Sequence, residues 1–326
     1  MNQLYPLKFK PVFRDKIWGG TKIKDVLGMD FGNLPNCGEA WVLSGVRDNE
    51  TIVSEGFLEG NELNELVEIY MDDLVGEKVF EKYKTEFPIL VKFIDASDYL
   101  SIQVHPDDEL AAKRGLGNGK TEMWYIISAD EESELITGFN QKVDQKTYLY
   151  HLEKKSLTKI LNVEKVSAGD VFFIPAGRVH ALGPGILLAE IQQTSDTTYR
   201  IYDYDRRDSQ GKLRDLHTEE AIDAIDFDVY ENYRSYYPNA LNKSVEVVNQ
   251  KFFTTNLMHI NKAIQREYGE LDSFVIYTCV QGASEIVYPH GKVSLRMGEC
   301  LLIPNEINDI VIRPGTESRI LETFIR

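Results

Sequence analysis

Four side chains of metal-binding type lie in three short segments of the sequence. Gln103 and His105 are two residues apart in segment 101–105, Glu122 follows after a gap, and His180 comes much later. Alternation along a β-strand would send Gln103 and His105 to the same face. Imidazole and carboxylate are ordinary zinc ligands, whereas an amide oxygen is a poorer donor. If the segments meet, they form a metal site suited to a small polar substrate.

Short strands should position these groups. The pattern predicts strands at 101–105, 120–127 and 171–174, the last followed by a Pro- and Gly-containing turn that leads to His180. Lys120 and Glu122 should share a strand face, so that a cation lies beside the carboxylate. A further strand at 197–204 should carry Thr198, Arg200, Tyr202 and Tyr204 on one face.

Helices interrupt these strands in the first two-thirds of the chain. Helical spacing of apolar residues covers 61–84, with a break at Gly76, and shorter helices are expected near 106–115 and 144–155. Glu39 begins a strand at 39–44, where it either faces solvent or lines a polar pocket. The polar stretch 228–242 is the best domain boundary, and short strands with turn residues follow it from 245 to 326.

Composition limits the classes of function. The 326 residues are 43% hydrophobic, with 17 Tyr and 15 Phe, which favours a substantial core and sheets. The 36 basic and 52 acidic residues give a net charge of −16, which argues against nucleic acid as a partner. A phosphorylated substrate would be repelled at long range, so any anion site must be built from a few local Arg and Lys residues.

The expected location is the cytoplasm. The three cysteines, Cys37, Cys279 and Cys300, are far apart and odd in number, which argues against disulfides and thiolate metal clusters. The amino terminus lacks the basic and apolar regions of a signal peptide. No apolar run approaches the ~20 residues of a membrane span, so no membrane partner is expected. The sequence leaves the oligomeric state open.

Two segments of the chain share a sequence motif. Segment 169–180 reads glycine, five residues, proline, one residue, glycine, two residues, histidine, and ends at His180. Segment 298–308 keeps the glycine-to-proline spacing without the second glycine or the histidine. The first copy resembles a conserved motif of the cupin superfamily of small double-sheet jelly-roll barrels. The resemblance implies a mainly β fold with two cupin-type barrels, a few inserted helices, and a metal site in the first barrel only.

A narrower resemblance involves most of the first two-thirds of the chain. The chain resembles the type I mannose-6-phosphate isomerases, and more closely their shorter bacterial form. The segments that carry it are 18–20 (WGG), 38–41 (GEAW), 103–107 (QVHPD), 120–122 (KTE), 175–181 (PAGRVHA) and 192–204, which contains QQ, SD and YRIYDY. The long separation of His105 from Glu122, unusual for a cupin, is a feature of this family.

The resemblance implies the chemistry and its residues. One zinc ion would be held by Gln103, His105, Glu122 and His180, although the ligand set also suits other divalent metals. The implied reaction interconverts mannose 6-phosphate and fructose 6-phosphate through a cis-enediolate, so the expected partner is a small sugar phosphate. Arg200 matches the active-site arginine of the family, and Lys120 is a second catalytic candidate. Residues 1–235 would form the catalytic domain and 236–326 a degenerate barrel without metal.

Two other classes of function are compatible with the same residues. One is a non-catalytic cupin that binds a sugar, in which the metal is only structural. The other is a different metal-dependent cupin enzyme such as an oxygenase, which would require iron and leave Gln103 and Arg200 without a role. The concentration of Lys120, Arg200 and Glu122 about one expected face favours the isomerase.

Overall fold

Strands dominate the computed structural model, which describes residues 3–207 and 210–326. The described residues form 23 strands and six α-helices. These strands build two double-sheet barrels in succession along the chain. The predicted mainly β fold with two cupin-type barrels and a few inserted helices is confirmed.

The first barrel has a seven-stranded and a five-stranded sheet. The strands up to residue 235 are β1 (Phe9–Lys10), β2 (Val12–Arg14), β3 (Glu39–Leu43), β4 (Ile52–Val53), β5 (Ile89–Ala96), β6 (Ile102–Val104), β7 (Glu122–Ala129), β8 (Glu134–Phe139), β9 (Leu161–Lys165), β10 (Val171–Ile174), β11 (His180–Leu182), β12 (Ile186–Gln193), β13 (Tyr199–Tyr202) and β14 (Arg234–Ser235). The larger sheet has the order β14-β10-β7-β12-β5-β3-β2, and the smaller has the order β13-β6-β11-β8-β9. The short strands β1 and β4 pair with each other.

The second barrel has a five-stranded and a four-stranded sheet. Its strands are β15 (Lys243–Asn249), β16 (Thr254–Ile260), β17 (Ile264–Glu267), β18 (Val275–Gln281), β19 (Ala283–Tyr288), β20 (Gly291–Arg296), β21 (Cys300–Ile303), β22 (Asp309–Pro314) and β23 (Ser318–Phe324). The sheet orders are β15-β16-β23-β18-β21 and β17-β22-β19-β20. Strand β14 pairs within the first barrel, and β15 is the first strand of the second. The predicted domain boundary at 235/236 therefore falls between the two barrels. The division into domains stays a prediction.

The helices are α1 (Lys22–Asp25), α2 (Leu63–Val75), α3 (Glu77–Tyr83), α4 (Asp108–Lys113), α5 (Gln145–Glu153) and α6 (Thr218–Ile222). Gly76, at φ +91°, separates α2 from α3 as predicted. The Asp272 carboxylate accepts hydrogen bonds from the first two amides of α3, at 2.7 and 3.1 Å, and so links the two barrels. No helix in the described part of the chain has the length and apolar composition to cross a membrane.

Apolar side chains fill the interior of the second barrel, part of the interior of the first, and the contact between the two. The largest core cluster contains Val91 and Met123 from the larger sheet of the first barrel, together with Ile276, Leu302 and Leu321 from the second. The second barrel encloses its own apolar cluster, whereas the apolar cluster inside the first fills only part of it. The remaining interior of the first barrel is polar.

The prediction for segment 197–204 was wrong in part. Strand β13 ends at Tyr202, and its register with β6 shifts between Arg200 and Tyr202. Tyr204 has φ +56°, outside the range of an extended strand. As a result Tyr202 and Tyr204 pack against the apolar cluster that includes residues of α5 and α6, while Thr198 and Arg200 face the interior of the barrel.

Candidate metal centre and substrate cavity

His105, Glu122 and His180 come together inside the first barrel. His105 follows β6, while Glu122 and His180 are the first residues of β7 and β11. All three are buried, and one ligand atom from each lies within 4.8 Å of the others. His105 Nε2 is 3.5 Å from Glu122 Oε2, and His180 Nε2 is 3.4 Å from Glu122 Oε1. In residues 3–207 and 210–326 this is the only such group of three or more His, Cys, Asp or Glu side chains.

The two histidines are held through their other ring nitrogens. His105 Nδ1 is 2.9 Å from the Thr197 carbonyl oxygen, and His180 Nδ1 is 2.8 Å from that of Arg178. Because a carbonyl only accepts, Nδ1 carries the proton and Nε2 keeps a lone pair. Burial lowers the pKa of His180 to about 4 and the pKa of His105 well below its ordinary value. Both rings are neutral near pH 7, the state in which imidazole binds metal.

Glu122 is a buried carboxylate with one nearby cation. The Lys120 ammonium forms an ion pair with Glu122 Oε2 at 2.9 Å and lies 3.1 Å from His105 Nε2. Glu122 Oε1 accepts no hydrogen bond from the described residues. Burial raises the pKa of Glu122 to about 7; Glu190 adds to this shift and Lys120 opposes it. A carboxylate in this environment would be stabilised by a bound cation.

Gln103 lies between His180 and Arg200 in the smaller sheet. Strand β6 is flanked by β11 and β13, and Gln103 pairs with both residues. Its side-chain nitrogen is 3.3 Å from His180 Nε2, and half a turn of the amide would present the oxygen instead. The structure therefore brings all four predicted ligands together, and their role in binding metal stays a prediction.

A cavity of about 290 Å³ opens onto this group. The predicted residues Gln103, Lys120, His180 and Arg200 line it. Polar residues not assigned from the sequence form much of the remaining wall: Lys16, Lys92, Ser101, Glu190, Asp196, Thr198 and Arg214, with Glu39 beside them. The size is near the lower end of the ~300–1,000 Å³ typical of small-molecule sites. The polar wall suits a small molecule with hydroxyl and anionic groups.

Comparison with known proteins identifies the family. Residues 6–142 match the family model described as phosphomannose isomerase type I, catalytic domain. Over 323 residues the chain is 34% identical to mannose-6-phosphate isomerase ManA of Bacillus subtilis, and the match covers 96% of this chain and 97% of that protein. The chain belongs to the type I phosphomannose isomerases.

Other phosphomannose isomerases agree in sequence and in fold. The mannose-6-phosphate isomerase of Streptococcus mutans is 33% identical over 303 residues, which is 93% of each chain. The crystal structure of mannose 6-phosphate isomerase from Bacillus subtilis superimposes with a TM-score of 0.87 at 30% identity, covering 98% of this chain and 99% of that one. A phosphomannose isomerase variant from Salmonella typhimurium shares the fold alone, with a TM-score of 0.78 at 15% identity.

Sequence reasoning missed one ion pair in the cavity of this family member. Lys92 Nζ lies 3.4 Å from Glu190 Oε1, and both side chains are buried. Trp124 Nε1 donates to Glu190 Oε2 at 2.8 Å, whereas Oε1 accepts no hydrogen bond from the described residues. Burial would raise the pKa of Glu190, but the cations Lys120 and Lys92 hold it below its ordinary value. The available signal was one charged residue within each of two apolar runs, Lys92 in 89–94 of β5 and Glu190 in 186–191 of β12.

The structure places Glu39 on the cavity wall, one of the two alternatives for this residue. Its carboxylate is 3.1 Å from Lys16 Nζ and accepts a hydrogen bond from Trp41 Nε1 at 2.8 Å. Burial would raise its pKa, but Lys92 and Lys16 outweigh burial and lower the pKa to about 2. Lys92 Nζ also lies 4.7 Å from the centre of the Trp41 ring, a favourable cation–π distance. Glu39 therefore supports the cations of the wall and remains ionised at neutral pH.

Proposed function

We propose that this chain interconverts mannose 6-phosphate and fructose 6-phosphate with one zinc ion held by Gln103, His105, Glu122 and His180. The observation that carries the proposal is the donor set at the cavity: the Nε2 atoms of two neutral imidazoles face one buried carboxylate, and the three ligand atoms lie within 4.8 Å of one another. Relatives that match along more than nine-tenths of the chain carry the name of this activity, which supports the same substrate.

The donor atoms fit zinc in spacing and in chemistry. Tetrahedral ligands at ~2.0–2.2 Å from the ion lie roughly 3.3–3.6 Å from one another. The contacts of Glu122 with His180 and His105, at 3.4 and 3.5 Å, fall in that range. The set contains no thiolate, so manganese, cobalt or iron are alternatives. Metal binding would require Lys120 to leave His105 Nε2, because one lone pair serves one partner.

Moving the carbonyl from C1 to C2 requires the removal of the C2 proton and its return to C1, through a cis-enediolate. The bound ion would polarise the substrate oxygens and stabilise the negative charge that develops. Glu190 is the carboxylate best suited to accept the proton, because it is ionised and its Oε1 has no hydrogen-bond donor. Lys120, beside the ligands, is placed to donate hydrogen bonds to substrate oxygens or to transfer a proton.

Arg200 is the second predicted catalytic residue. Its guanidinium is permanently charged and fork-shaped, and therefore suited to the enediolate or to a phosphate. Arg200 NH1 donates to the Asp215 carbonyl oxygen at 2.9 Å, which leaves other donors for the cavity. We expect Arg200→Ala to reduce turnover severely with the metal content intact. Metal loss or normal turnover in this variant would remove the catalytic assignment.

We further propose that residues 1–235 form the catalytic domain, that 236–326 form the barrel without metal, and that the protein is cytoplasmic. All four proposed ligands come from the first part. The apolar contact between the barrels is extensive, so the second barrel stabilises the wall of the first.

A coupled assay that follows fructose 6-phosphate formed from mannose 6-phosphate tests the proposed reaction. Protein loaded with zinc should turn over, chelation should abolish turnover, and added zinc should restore it. Absence of activity in the loaded protein would overturn the proposal. Iron-dependent oxygen consumption would indicate an oxygenase, and sugar binding without turnover would indicate a binding protein.

A further inference from the structure

The turn before His180 contacts both histidines of the proposed metal site. The Arg178 carbonyl oxygen lies 2.8 Å from His180 Nδ1, and the Gly177 amide donates to the His105 carbonyl oxygen at 2.9 Å. Gly177 has φ +89°, a conformation that glycine adopts without strain. The position of this turn therefore affects the ring orientation of one histidine and the backbone of the other.

Residues 223–233 connect α6 to β14, and this connecting segment packs on the turn. The Asp226 amide donates to the Gly177 carbonyl oxygen at 2.8 Å. The Tyr233 side chain is buried and passes so close to Gly138 that a Cβ at that glycine would collide with the ring. Its hydroxyl donates to a backbone carbonyl oxygen of β8 at 2.9 Å. The connecting segment is thus anchored both to the turn and to the smaller sheet.

Arg178 is a buried cation that lacks a carboxylate partner. The residue is 6% exposed, and no Asp or Glu in the described ranges lies within ion-pair distance of its guanidinium. Two aromatic faces compensate the charge instead, because the guanidinium carbon lies 4.3 Å from the centre of the Tyr230 ring and 4.9 Å from that of Tyr233. The Tyr230 hydroxyl donates to the Asp226 carboxylate at 2.6 Å, which links that ring to the rest of the segment. These contacts restrict where the Arg178 side chain can lie.

We propose that Arg178 is a positioning residue for the metal ligands, and that Tyr230 and Tyr233 act through it. The two rings hold the guanidinium and so restrain the Arg178 backbone. The carbonyl of that backbone holds the His180 ring with its Nε2 toward Glu122. Loss of such a partner of a ligating histidine changes metal affinity about 10- to 100-fold. That these residues bind a metal rests on the proposed function.

Arg234 supplies a matched control at the end of the same segment. Its guanidinium carbon lies 5.5 Å from the centre of the Phe172 ring, and its NH1 donates to Asp170 at 3.2 Å. Over the described part of the chain, none of its side-chain hydrogen bonds or ion pairs reaches the turn before His180. Arg234→Gln therefore weakens the attachment of the segment to the first barrel without removing a contact of the turn.

The first measurement is binding of cobalt(II), an ion whose visible absorption reports the geometry of its ligands. We expect Arg178→Gln to weaken cobalt binding about 10- to 100-fold and to alter the absorption of the bound ion. Arg234→Gln should bind cobalt as wild type does, even where urea unfolding shows it to be less stable. A merely structural role would lower stability in both variants and leave the cobalt affinity of the folded protein unchanged. Wild-type affinity in Arg178→Gln, or equal losses in the two variants, would overturn the proposal.

Tyr230 covers the case in which Arg178→Gln does not fold. The residue is 41% exposed, so Tyr230→Ala removes one aromatic face without leaving a buried cavity. We expect a loss of cobalt affinity smaller than that of Arg178→Gln, because the Tyr233 ring remains. Tyr230→Phe keeps the face and should bind cobalt as wild type does. Equal affinity in Tyr230→Ala and Tyr230→Phe would overturn the role of the ring.

The second measurement needs no metal. In protein with ¹⁵N-labelled histidine, the Nδ1–H signal of His180 is assigned by its absence from His180→Ala. We expect this proton to exchange slowly in wild type and Arg234→Gln, and faster in Arg178→Gln, because its acceptor is the Arg178 carbonyl. An unchanged signal in Arg178→Gln would overturn the proposal. If wild type neither bound cobalt nor turned over mannose 6-phosphate but showed this pattern, the proposed function would fail and the positioning of His180 would stand.

Discussion

The strand orders of the second barrel's two sheets recur within the larger sheets of the first barrel, so positions in one barrel can be matched to positions in the other. In the first barrel Glu122 of β7 pairs with Ile174 of β10, and in the second Val275 of β18 pairs with Ile303 of β21. The repeat motif gives the same match, because Ile174 and Ile303 occupy the same place after its first glycine. The second barrel therefore has an apolar valine where the first has its buried carboxylate.

The smaller sheets of the two barrels give further matched positions. His180 pairs with Gln103 in the first barrel, and Ile310 pairs with Arg266 in the second. His180 and Ile310 both face the barrel interior and both are buried. The turn before Ile310 is one residue longer than the turn before His180, as counted from the proline of each motif. Two of the four proposed metal ligands are thus replaced by aliphatic residues.

One carboxylate is retained at the matched position in both barrels. Glu190 lies beside Trp124 in the first barrel, and Glu322 lies beside Tyr277 in the second. Glu190 Oε1 accepts no hydrogen bond from the described residues. Glu322 accepts five hydrogen bonds, and its donors are Ser244, Asn256, Tyr268 and the two Arg266 nitrogens Nε and NH2.

The comparison shows that the barrel fold alone does not create a ligand-binding site. In the second barrel Arg266 reaches into the interior and satisfies the carboxylate, so no lone pair is left for a ligand. In the first barrel the polar groups stay partly unsatisfied around a cavity, at a cost in stability that substrate and metal would offset. Disrupting the polar groups of the first barrel should therefore reduce activity, whereas disrupting the hydrogen bonds of Glu322 in the second should reduce stability.

The largest effect is expected from His180→Ala. Loss of this proposed ligand should reduce both metal content and kcat/KM for mannose 6-phosphate, the latter by a factor on the order of 1,000, or ~4 kcal/mol. Metal analysis and the coupled assay measure the two quantities. As the matched change, Ile310→His should bind no metal, because the second barrel has Arg266 and Val275 at the positions that match Gln103 and Glu122. Metal bound to that variant would contradict the comparison.

Arg266→Met should destabilise the protein without altering the chemistry. It leaves Glu322 buried and without its cation, a change that costs about 3–5 kcal/mol. Urea unfolding should show this loss, while kcat of the folded variant stays at the wild-type value. Replacing both partners, as Arg266→Met with Glu322→Leu, should recover much of the stability. A reduced kcat would mean that the second barrel takes part in the reaction.

Glu39 should make the first barrel sensitive to acid. Its pKa is about 2 in the folded protein and 4.5 ordinarily, a difference that corresponds to ~3 kcal/mol. Because folding lowers this pKa, the stabilisation is present above the ordinary pKa and is lost as pH falls from about 4.5 to about 2. Unfolding measured at several pH values should be less acid-sensitive in Glu39→Gln than in wild type. Equal acid sensitivity would show that the lysines do not stabilise the Glu39 carboxylate.

The smallest effect is expected from Ser244→Ala, at the position of the second barrel that matches Glu39 in strand pairing. It removes one of five hydrogen bonds to Glu322, at 2.9 Å, and should cost about 1 kcal/mol. Thermal unfolding should detect the change, and activity should be unaffected. A loss comparable to that of Arg266→Met would mean that the network fails as a unit.

Local pattern predicted much of the first barrel. Alternation placed Gln103 and His105 on one face, and the turn after Ile174 directed His180 inward, because both depend only on backbone geometry over a few residues. Family resemblance supplied the proposed metal ligands and their order along the chain. Lys92 and Glu190 were missed because each is one charge within an apolar run of residues, and neither run carries information about the other.

The sequence by itself therefore determined the strand content, the break at Gly76, the motif ending in His180 and the absence of that histidine from the second copy. Only the tertiary structure decided that β5 and β12 pair Lys92 with Glu190 and that Arg266 satisfies Glu322. The physical reason is range: backbone geometry and periodicity act over a few residues, whereas compensation of a buried charge depends on strands that are distant in sequence and adjacent only after folding.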